Sequence, residues 1–347
     1  MSRITFREGQ AEQPRALHTI ASHVRRRLAE PDLAHLRGAA RPLFTGIGAS
    51  HAALAVPVDL LRTRGVVTQR VLSSEIGQDA RGFEADVVIG VSQGGRSTET
   101  LAAFSQLRDV PRVAVLNVTP SPLSSLADHT VDLGNQPDSY ASTIGFTGTV
   151  VALDLIASLI SGASHGDPWA QISAQALAVR DRTLFALATV QARAARCVAA
   201  DVVASGTSRT SSEEAALLLR EVARMPAAAS VTRNYLHGEM ESAGQTLHVV
   251  FGDGRELALA RTLSAAGHLT LLVTTQQVDS GPDLAVVRLP EAAPSARVVL
   301  ETVVAQELAG SLADERGIAI ESFVFANDDT KEGGVDPADF AISSQRR

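Results

Sequence analysis

The sequence predicts an α/β protein with two doubly wound, flavodoxin-like parallel-sheet domains in tandem. Short apolar runs such as residues 86–91 alternate with helical patterns, which is typical of parallel strands buried on both faces. The order of these runs after residue 200 echoes the order before residue 163. A length of 347 residues with 45% hydrophobic content also exceeds the usual size of one compact domain.

The pattern divides the chain into five segments. We expect an N-terminal helical segment, a first domain, connecting helices, a second domain and a tail at residues 1–40, 41–163, 164–196, 197–325 and 326–347. The first domain has strand-like runs that begin at residues 42, 66, 86, 112 and 129, and helices at 52–64, 98–107 and 146–160. The second has strand-like runs at 201–206, 228–232, 246–251 and 269–274, and helices at 212–223 and 255–266.

Composition excludes several classes of protein. Thirty-eight acidic against 31 basic residues give a net charge of −7, which disfavours a nucleic-acid surface. The single cysteine, Cys197, allows no intrachain disulfide and no Cys-rich metal site. No run approaches the ~20 apolar residues of a membrane span. We therefore expect a cytoplasmic protein with no metal, no cofactor and neither nucleic acid nor membrane as partner.

One loop has the composition of an anion site. Residues 92–98 follow an apolar strand and open a helix, where backbone N–H groups and the helix dipole favour a negative charge. Gly94 and Gly95 permit close backbone approach, and serine and threonine hydroxyls donate to phosphate oxygens. The same residues also suit an ordinary capped helix after a glycine turn, because Ser and Thr are common N-caps.

Together with two further segments, this loop resembles the sugar-isomerase (SIS) domain family, typified by the isomerase domain of glucosamine-6-phosphate synthase. The resemblance covers about residues 40–335 in order. Its three matching segments are a turn with Ser50, the loop with Ser92, Gln93, Gly95 and Ser97, and a third stretch with Ala141, Ser142 and Thr143. It implies that these residues surround a sugar phosphate. Gly94 replaces a family serine, and Arg96 replaces a glutamate and is a further candidate for gripping an anion.

The acid–base candidates lie in the second half. Glu214 and Glu221 are seven residues apart on one predicted helix and therefore share a face. The pattern alone favours a solvated face paired with neighbouring arginines. The family resemblance instead implies that Glu221 is the base of enolisation and that Glu214 contacts the substrate or supports the site. The family's central lysine is Leu218 here.

The resemblance also assigns roles to His237 and to the tail. His237 matches a histidine that opens the sugar ring and enters the neighbouring subunit's site, which implies a homodimer with composite active sites. The family lysine that forms an imine aligns with Asn327, and Lys331 substitutes for it only if the tail folds differently.

Two functions from different classes remain open. The first is a glutamine-independent isomerase or deaminase acting on a hexosamine 6-phosphate, or a related amino-sugar phosphate, by enolisation. The alternative is a non-catalytic sensor or regulatory protein that binds a sugar phosphate.

Overall fold

The computed structural model describes residues 3–163, 166–321, 324–325 and 327–334. The chain forms two compact units. The first unit contains residues 1–170 together with the C-terminal segment from residue 323, and the second contains residues 171–322. The C-terminal segment therefore belongs with the first half of the chain.

The first unit is built on a five-stranded parallel sheet. Its strands are β1 (Pro42–Gly46), β2 (Gln69–Leu72), β3 (Val87–Val91), β4 (Arg112–Leu116) and β5 (His129–Asp132). They lie in the order β2-β1-β3-β4-β5, and every pair is parallel. All residues of β1 and β3 are buried, because helices cover both faces of such a sheet.

Seven α-helices accompany this sheet: α1 (Phe6–Leu28), α2 (Ala49–Ala53), α3 (Ala55–Thr63), α4 (Ser73–Gln78), α5 (Thr98–Gln106), α6 (Pro122–Leu126) and α7 (Ile144–Ser161). A capping box between Thr5 and Glu8 starts α1, which satisfies N–H groups that a helix leaves unpaired at its N-terminus. Helix α1 packs against α7 and shields it from solvent. By length and composition α7 is apolar enough to cross a membrane, but 78% of it is buried, so it is a core helix of the first unit.

The second unit repeats the plan. Its strands are β6 (Ala199–Ala204), β7 (Ala227–Val231), β8 (Thr246–Phe251), β9 (Thr270–Thr274) and β10 (Leu284–Arg288), and its helices are α8 (Ile172–Leu187), α9 (Gln191–Ala194), α10 (Arg209–Glu221), α11 (Thr232–Tyr235), α12 (Arg255–Ala265) and α13 (Pro294–Glu315). The strand order β10-β9-β8-β6-β7 is that of the first sheet read from the other edge. The predicted fold class of two flavodoxin-like parallel-sheet domains is confirmed.

The structure differs from the predicted elements in several places. The single helix expected at residues 52–64 is two short helices, α2 and α3, that meet at Leu54. Strand β10 and helix α13 have no counterpart in the sequence-based assignment. Helix α13 is buried around most of its circumference, and a helix buried on nearly all sides lacks the one-sided periodicity that reveals most helices in a sequence.

Short 3-10 helices complete the described chain at Pro31–Leu36, Gly206–Ser208, Glu239–Ser242 and Asp328–Thr330. The last of these lies in the C-terminal segment and leads into the residues that meet the loop after β3.

Candidate functional site

The candidate site lies where the strand order of the first sheet reverses. Strands β1 and β3 are neighbours in the sheet but are not consecutive in the chain, and ligands of such sheets bind beyond the carboxyl ends of the strands at this point. Ser50 follows β1 as the second residue of α2 and is half-buried. The loop of residues 92–98, hereafter the phosphate loop, follows β3.

The backbone of the phosphate loop is held from behind. The carbonyl of Gln93 accepts from the amides of Asn117 and Val118, each at 3.0 Å. Gly95 has a φ of +63°, and a Cβ there would lie 2.1 Å from Ser121 Oγ, so this position requires glycine. These contacts fix the loop before any ligand is bound.

The front of the loop presents unpaired donors. Among the described residues, the amides of Gly94, Gly95 and Arg96 donate to no protein acceptor. Ser92 is buried at the base of the loop. The hydroxyl of Ser97 is committed locally, since it donates to Glu99 at 3.0 Å and accepts from Thr100 at 3.2 Å. Successive free amides at a helix start form a concave anion site.

Arg96 binds the C-terminal segment. Its Nε donates to the carbonyl of Glu332 at 2.9 Å, and its Nη2 donates to the carbonyls of Glu332 at 2.6 Å and Gly334 at 2.7 Å. The amide of Glu332 donates back to the carbonyl of Arg96 at 2.8 Å. The guanidinium expected to grip a ligand therefore acts as a clamp on residues 331–334 in this structure.

The clamp brings Lys331 to the loop. Lys331 and Ser97 form an isolated antiparallel bridge, and Lys331 Nζ lies 4.9 Å from the centre of the Tyr140 ring. The guanidinium carbon of Arg3 lies 5.4 Å from the centre of the same ring. Asn327, which aligns with the family lysine, is exposed and precedes the short helix at Asp328–Thr330. The lysine whose backbone meets the loop is thus Lys331, four positions after Asn327.

The third segment is organised by Asp138, a residue that the sequence analysis did not single out. Asp138 is fully buried. Its carboxylate accepts from the amides of Thr143 (2.9 Å), Ile144 (3.0 Å) and Gly145 (3.0 Å), from the hydroxyls of Ser142 (2.6 Å) and Thr143 (2.9 Å), and from Nε2 of Gln93. Ala141 is buried in the same turn. The hydroxyls of Ser142 and Thr143 are therefore engaged inside the protein.

Burial raises the pKa of Asp138, because a charged carboxylate loses solvation. The surrounding donors and the N-terminus of α7 oppose that rise, since both stabilise the ionised form. The sequence does contain a signal for Asp138. An acidic residue shortly before an apolar helix frequently accepts hydrogen bonds from the first backbone amides of that helix.

In the second unit, Glu214 and Glu221 share helix α10. Glu214 is 1% exposed, whereas Glu221 ends the helix and is half-buried. Leu218 is buried between them in the helix, so the position of the family's central lysine is part of the core here. His237 is exposed two residues after α11, and no described contact joins it to Glu221.

The base of the His237 loop is anchored in the core of the second unit. The Tyr235 hydroxyl donates to Asp201 at 2.9 Å and lies 3.1 Å from Nδ1 of His248. Burial, followed by the nearby His268, lowers the pKa of His248 to about 4. The imidazole of His248 beside the Tyr235–Asp201 hydrogen bond is therefore neutral near neutral pH.

The corresponding point of the second sheet, between β6 and β8, is filled by acidic side chains. Glu256 accepts from Ser205, Thr232 and the amide of Gly254. Asp253 accepts from Thr274, Thr275 and Arg297. These carboxylates occupy the donors that an anion would need, so the two sheets differ at equivalent positions.

Comparison with known proteins supports the resemblance derived from the motifs. Residues 35–159 match the family model described as the SIS domain. No curated protein matches the sequence. The predicted resemblance to the SIS family is confirmed, and the matching residues lie in the first unit.

Solved structures extend the likeness to both units. The C-terminal domain of glucosamine-fructose-6-phosphate aminotransferase from Francisella tularensis is 18% identical, with coverage of 90% of this chain and 96% of that one and a TM-score of 0.78. Tagatose-6-phosphate ketose/aldose isomerase from Escherichia coli is 17% identical, with coverage of 92% and 96% and a TM-score of 0.76. Glucosamine-6-phosphate deaminase from Thermotoga maritima is 18% identical, with coverage of 89% and 96% and a TM-score of 0.71. The chain has the fold of these phosphosugar enzymes.

Proposed function

We propose that the protein is a glutamine-independent sugar-phosphate isomerase or deaminase that acts on a hexosamine 6-phosphate or a related amino-sugar phosphate. The observation that carries the proposal is the phosphate loop, whose amides at Gly94, Gly95 and Arg96 are unpaired within the described chain. The backbone of Lys331 pairs with Ser97 at the end of this loop, so the segment that meets the loop carries a positively charged side chain. A phosphate dianion matches both features.

The proposed reaction is a proton transfer between adjacent carbons. His237 opens the sugar ring by moving a proton to the ring oxygen. Glu221 then removes the proton from C2 and returns it to C1, which converts an aldose into a ketose through an enol. From a 2-amino sugar, the intermediate at C2 is an imine, and its hydrolysis consumes one water and releases ammonia. No change of oxidation state in the protein is required.

The roles of the two residues imply an assembly. His237 is exposed, and the family resemblance assigns it to the site of a neighbouring subunit. We therefore propose a homodimer in the cytoplasm, with each active site completed by the partner's histidine.

NMR of glucosamine 6-phosphate and fructose 6-phosphate in D₂O tests the activity. Ammonia release, ketose formation and deuterium entry at C1 or C2 are the readouts. Glu221→Gln should abolish turnover because the amide accepts no proton near neutral pH, while the affinity for the sugar phosphate stays within about twofold.

Glu213→Gln is the matched control, because Glu213 lies on the same helix and forms a long ion pair with Arg209 at 3.6 Å. It should turn over like the wild type. Full activity in Glu221→Gln would remove Glu221 from the role of base.

A second candidate function is a sugar-phosphate sensor without catalysis. Its support is that several groups of the site are engaged internally: Arg96 clamps the C-terminal segment, and Ser142 and Thr143 bind Asp138. Gly94 and Leu218 also lack the polar groups that the family has at these positions. Binding of both sugars by calorimetry, with no deuterium exchange in either, would favour the sensor over the enzyme.

A further inference from the structure

The side chain of Gln93 is oriented before a ligand arrives. Its main-chain carbonyl is fixed by Asn117 and Val118 at 3.0 Å, and its Nε2 donates to Oδ2 of Asp138. Both ends of the residue are therefore held by groups that belong to the first unit.

Asp138 determines which end of the amide faces it. The carboxylate is fully buried and already accepts from the amides of Thr143, Ile144 and Gly145. Both oxygens of the carboxyl group accept hydrogen bonds from protein donors, and Gln93 accordingly turns its Nε2 toward Asp138. Its carbonyl oxygen Oε1 then points away. No donor pairs with this oxygen in the part of the chain that the structure describes, and Gln93 remains partly exposed.

Gly145 makes the pairing possible. A Cβ at this position would lie 2.4 Å from Oδ2 of Asp138 and 2.8 Å from Nε2 of Gln93. Contacts this short do not occur between non-bonded atoms in a relaxed structure. The first turn of α7, the carboxylate and the amide are thus packed as one unit.

We propose that Asp138 is a positioning residue that presents Oε1 of Gln93 to the sugar, where it accepts a hydrogen bond from a hydroxyl or ammonium group of the substrate. The phosphate is an unsuitable partner for Oε1, because its oxygens are acceptors as well. The phosphate therefore binds the loop amides, and Gln93 distinguishes a sugar phosphate from free phosphate. This inference rests on the proposed function, since it requires a sugar phosphate at the loop.

The test compares two probes, glucosamine 6-phosphate and inorganic phosphate, by calorimetry of the full chain. Gln93→Met keeps the length of the side chain and removes the acceptor. Asp138→Asn keeps the shape of the carboxylate. Its oxygen should replace Oδ1, which accepts from two backbone amides, so the new NH₂ group faces Gln93 and forces the amide of Gln93 to turn.

Each single variant should weaken binding of glucosamine 6-phosphate about tenfold, the effect of one hydrogen bond to a polar or charged group. Binding of inorganic phosphate should change less than twofold. The double variant should be no weaker than Gln93→Met, because Asp138 acts through Gln93. Ser139→Ala is the matched control, since Ser139 is buried in the same turn, donates to the carbonyl of Ala141 at 2.6 Å and lies 3.3 Å from Oγ1 of Thr143, with no hydrogen bond to Gln93 among the described residues.

Three results would overturn the inference while leaving the proposed function intact: equal weakening of both probes by Asp138→Asn, independent effects that multiply in the double variant, or unchanged binding in Gln93→Met. The Gln93→Met variant tests whether Gln93 contacts the sugar even if Asp138→Asn does not fold. A wild-type protein that binds neither probe contradicts the proposed function itself and the inference with it.

Discussion

The backbone of Lys331 pairs with that of Ser97, although 234 positions separate them in the sequence. Lys331 is the only lysine in the chain. The bridge therefore places the backbone of the only lysine of this protein against the phosphate loop, next to the start of α5.

The clamp between Arg96 and the C-terminal segment should protect the chain from proteolysis. An endoproteinase specific for lysine has one target, Lys331, and must unfold the segment locally to cut it. Arg96→Met removes three side-chain hydrogen bonds to Glu332 and Gly334, so cleavage after Lys331 should accelerate at least tenfold. Gel electrophoresis against time measures the rate.

Arg108→Met is the control for this experiment. Arg108 donates to the carbonyl of Ser105 at the C-terminal end of α5 and is far in sequence from the C-terminal segment. Its cleavage rate should equal that of the wild type. Equal rates in Arg96→Met would show that the clamp does not restrain residues 331–334.

The charge of Lys331 should contribute to phosphate affinity. Lys331→Met should weaken binding of inorganic phosphate by about fivefold, corresponding to the ~1 kcal/mol of a partly exposed charge contact. Lys331→Arg should retain most of the affinity, because the guanidinium also carries a positive charge. Calorimetry at low and high salt measures both; loss of affinity in the arginine variant as large as in the methionine variant contradicts the charge argument.

Gly145 should be intolerant of a side chain. Gly145→Ala places a methyl group 2.4 Å from Asp138 Oδ2 and should cost about 1–3 kcal/mol of unfolding free energy through overpacking. Gly82→Ala is the control, since nothing lies within 4 Å of its Cβ position. The fluorescence of Trp169, the only tryptophan and buried in the first unit, reports urea unfolding; equal midpoints in the two variants would contradict the packing of this turn.

The second unit should lose stability in mild acid through His248. Burial and the nearby His268 lower its pKa from 6.5 to about 4. Between these two pH values the imidazole is protonated in the unfolded chain and neutral in the folded chain. The contribution of His248 to the free energy of unfolding is fully present above pH 6.5. It falls by on the order of 3 kcal/mol as the pH decreases toward 4. Asp201 and Tyr235 also face the imidazole.

Urea unfolding followed by circular dichroism at pH 7.5 and pH 5 measures this dependence. His248→Gln removes the titrating group, so its unfolding free energy should change less between the two pH values than that of the wild type. The comparison cancels the other histidines, which both proteins share. The same pH slope in both would exclude His248 as its source.

The sequence predicts the repeated α/β plan because buried parallel strands leave a local signature. Strand β3 is a run of apolar residues followed at once by the serine and glycines of the phosphate loop, and both features depend on neighbouring positions. Helix α13 is not predicted from the sequence pattern, because burial on nearly all sides removes the periodicity of its apolar positions.

The roles of individual side chains depend on distant partners. Arg96 suits an anion by its chemistry alone, yet the structure gives it the carbonyls of Glu332 and Gly334. Ser142 and Thr143 likewise match a ligand-binding motif but donate to Asp138. A hydroxyl or guanidinium binds whichever acceptor the fold brings near, so motif matching identifies the region and not the bond.

By itself, the sequence determined the fold class, the place of the phosphate loop at a strand end and the family that the chain resembles. Only the tertiary structure decided that Lys331 stands at the loop, that Asp138 directs Gln93, and that carboxylates fill the equivalent point of the second sheet. The physical reason is range: strand and loop patterns arise from contacts between neighbours in the chain, whereas these assignments arise from hydrogen bonds and charges between residues brought together by folding.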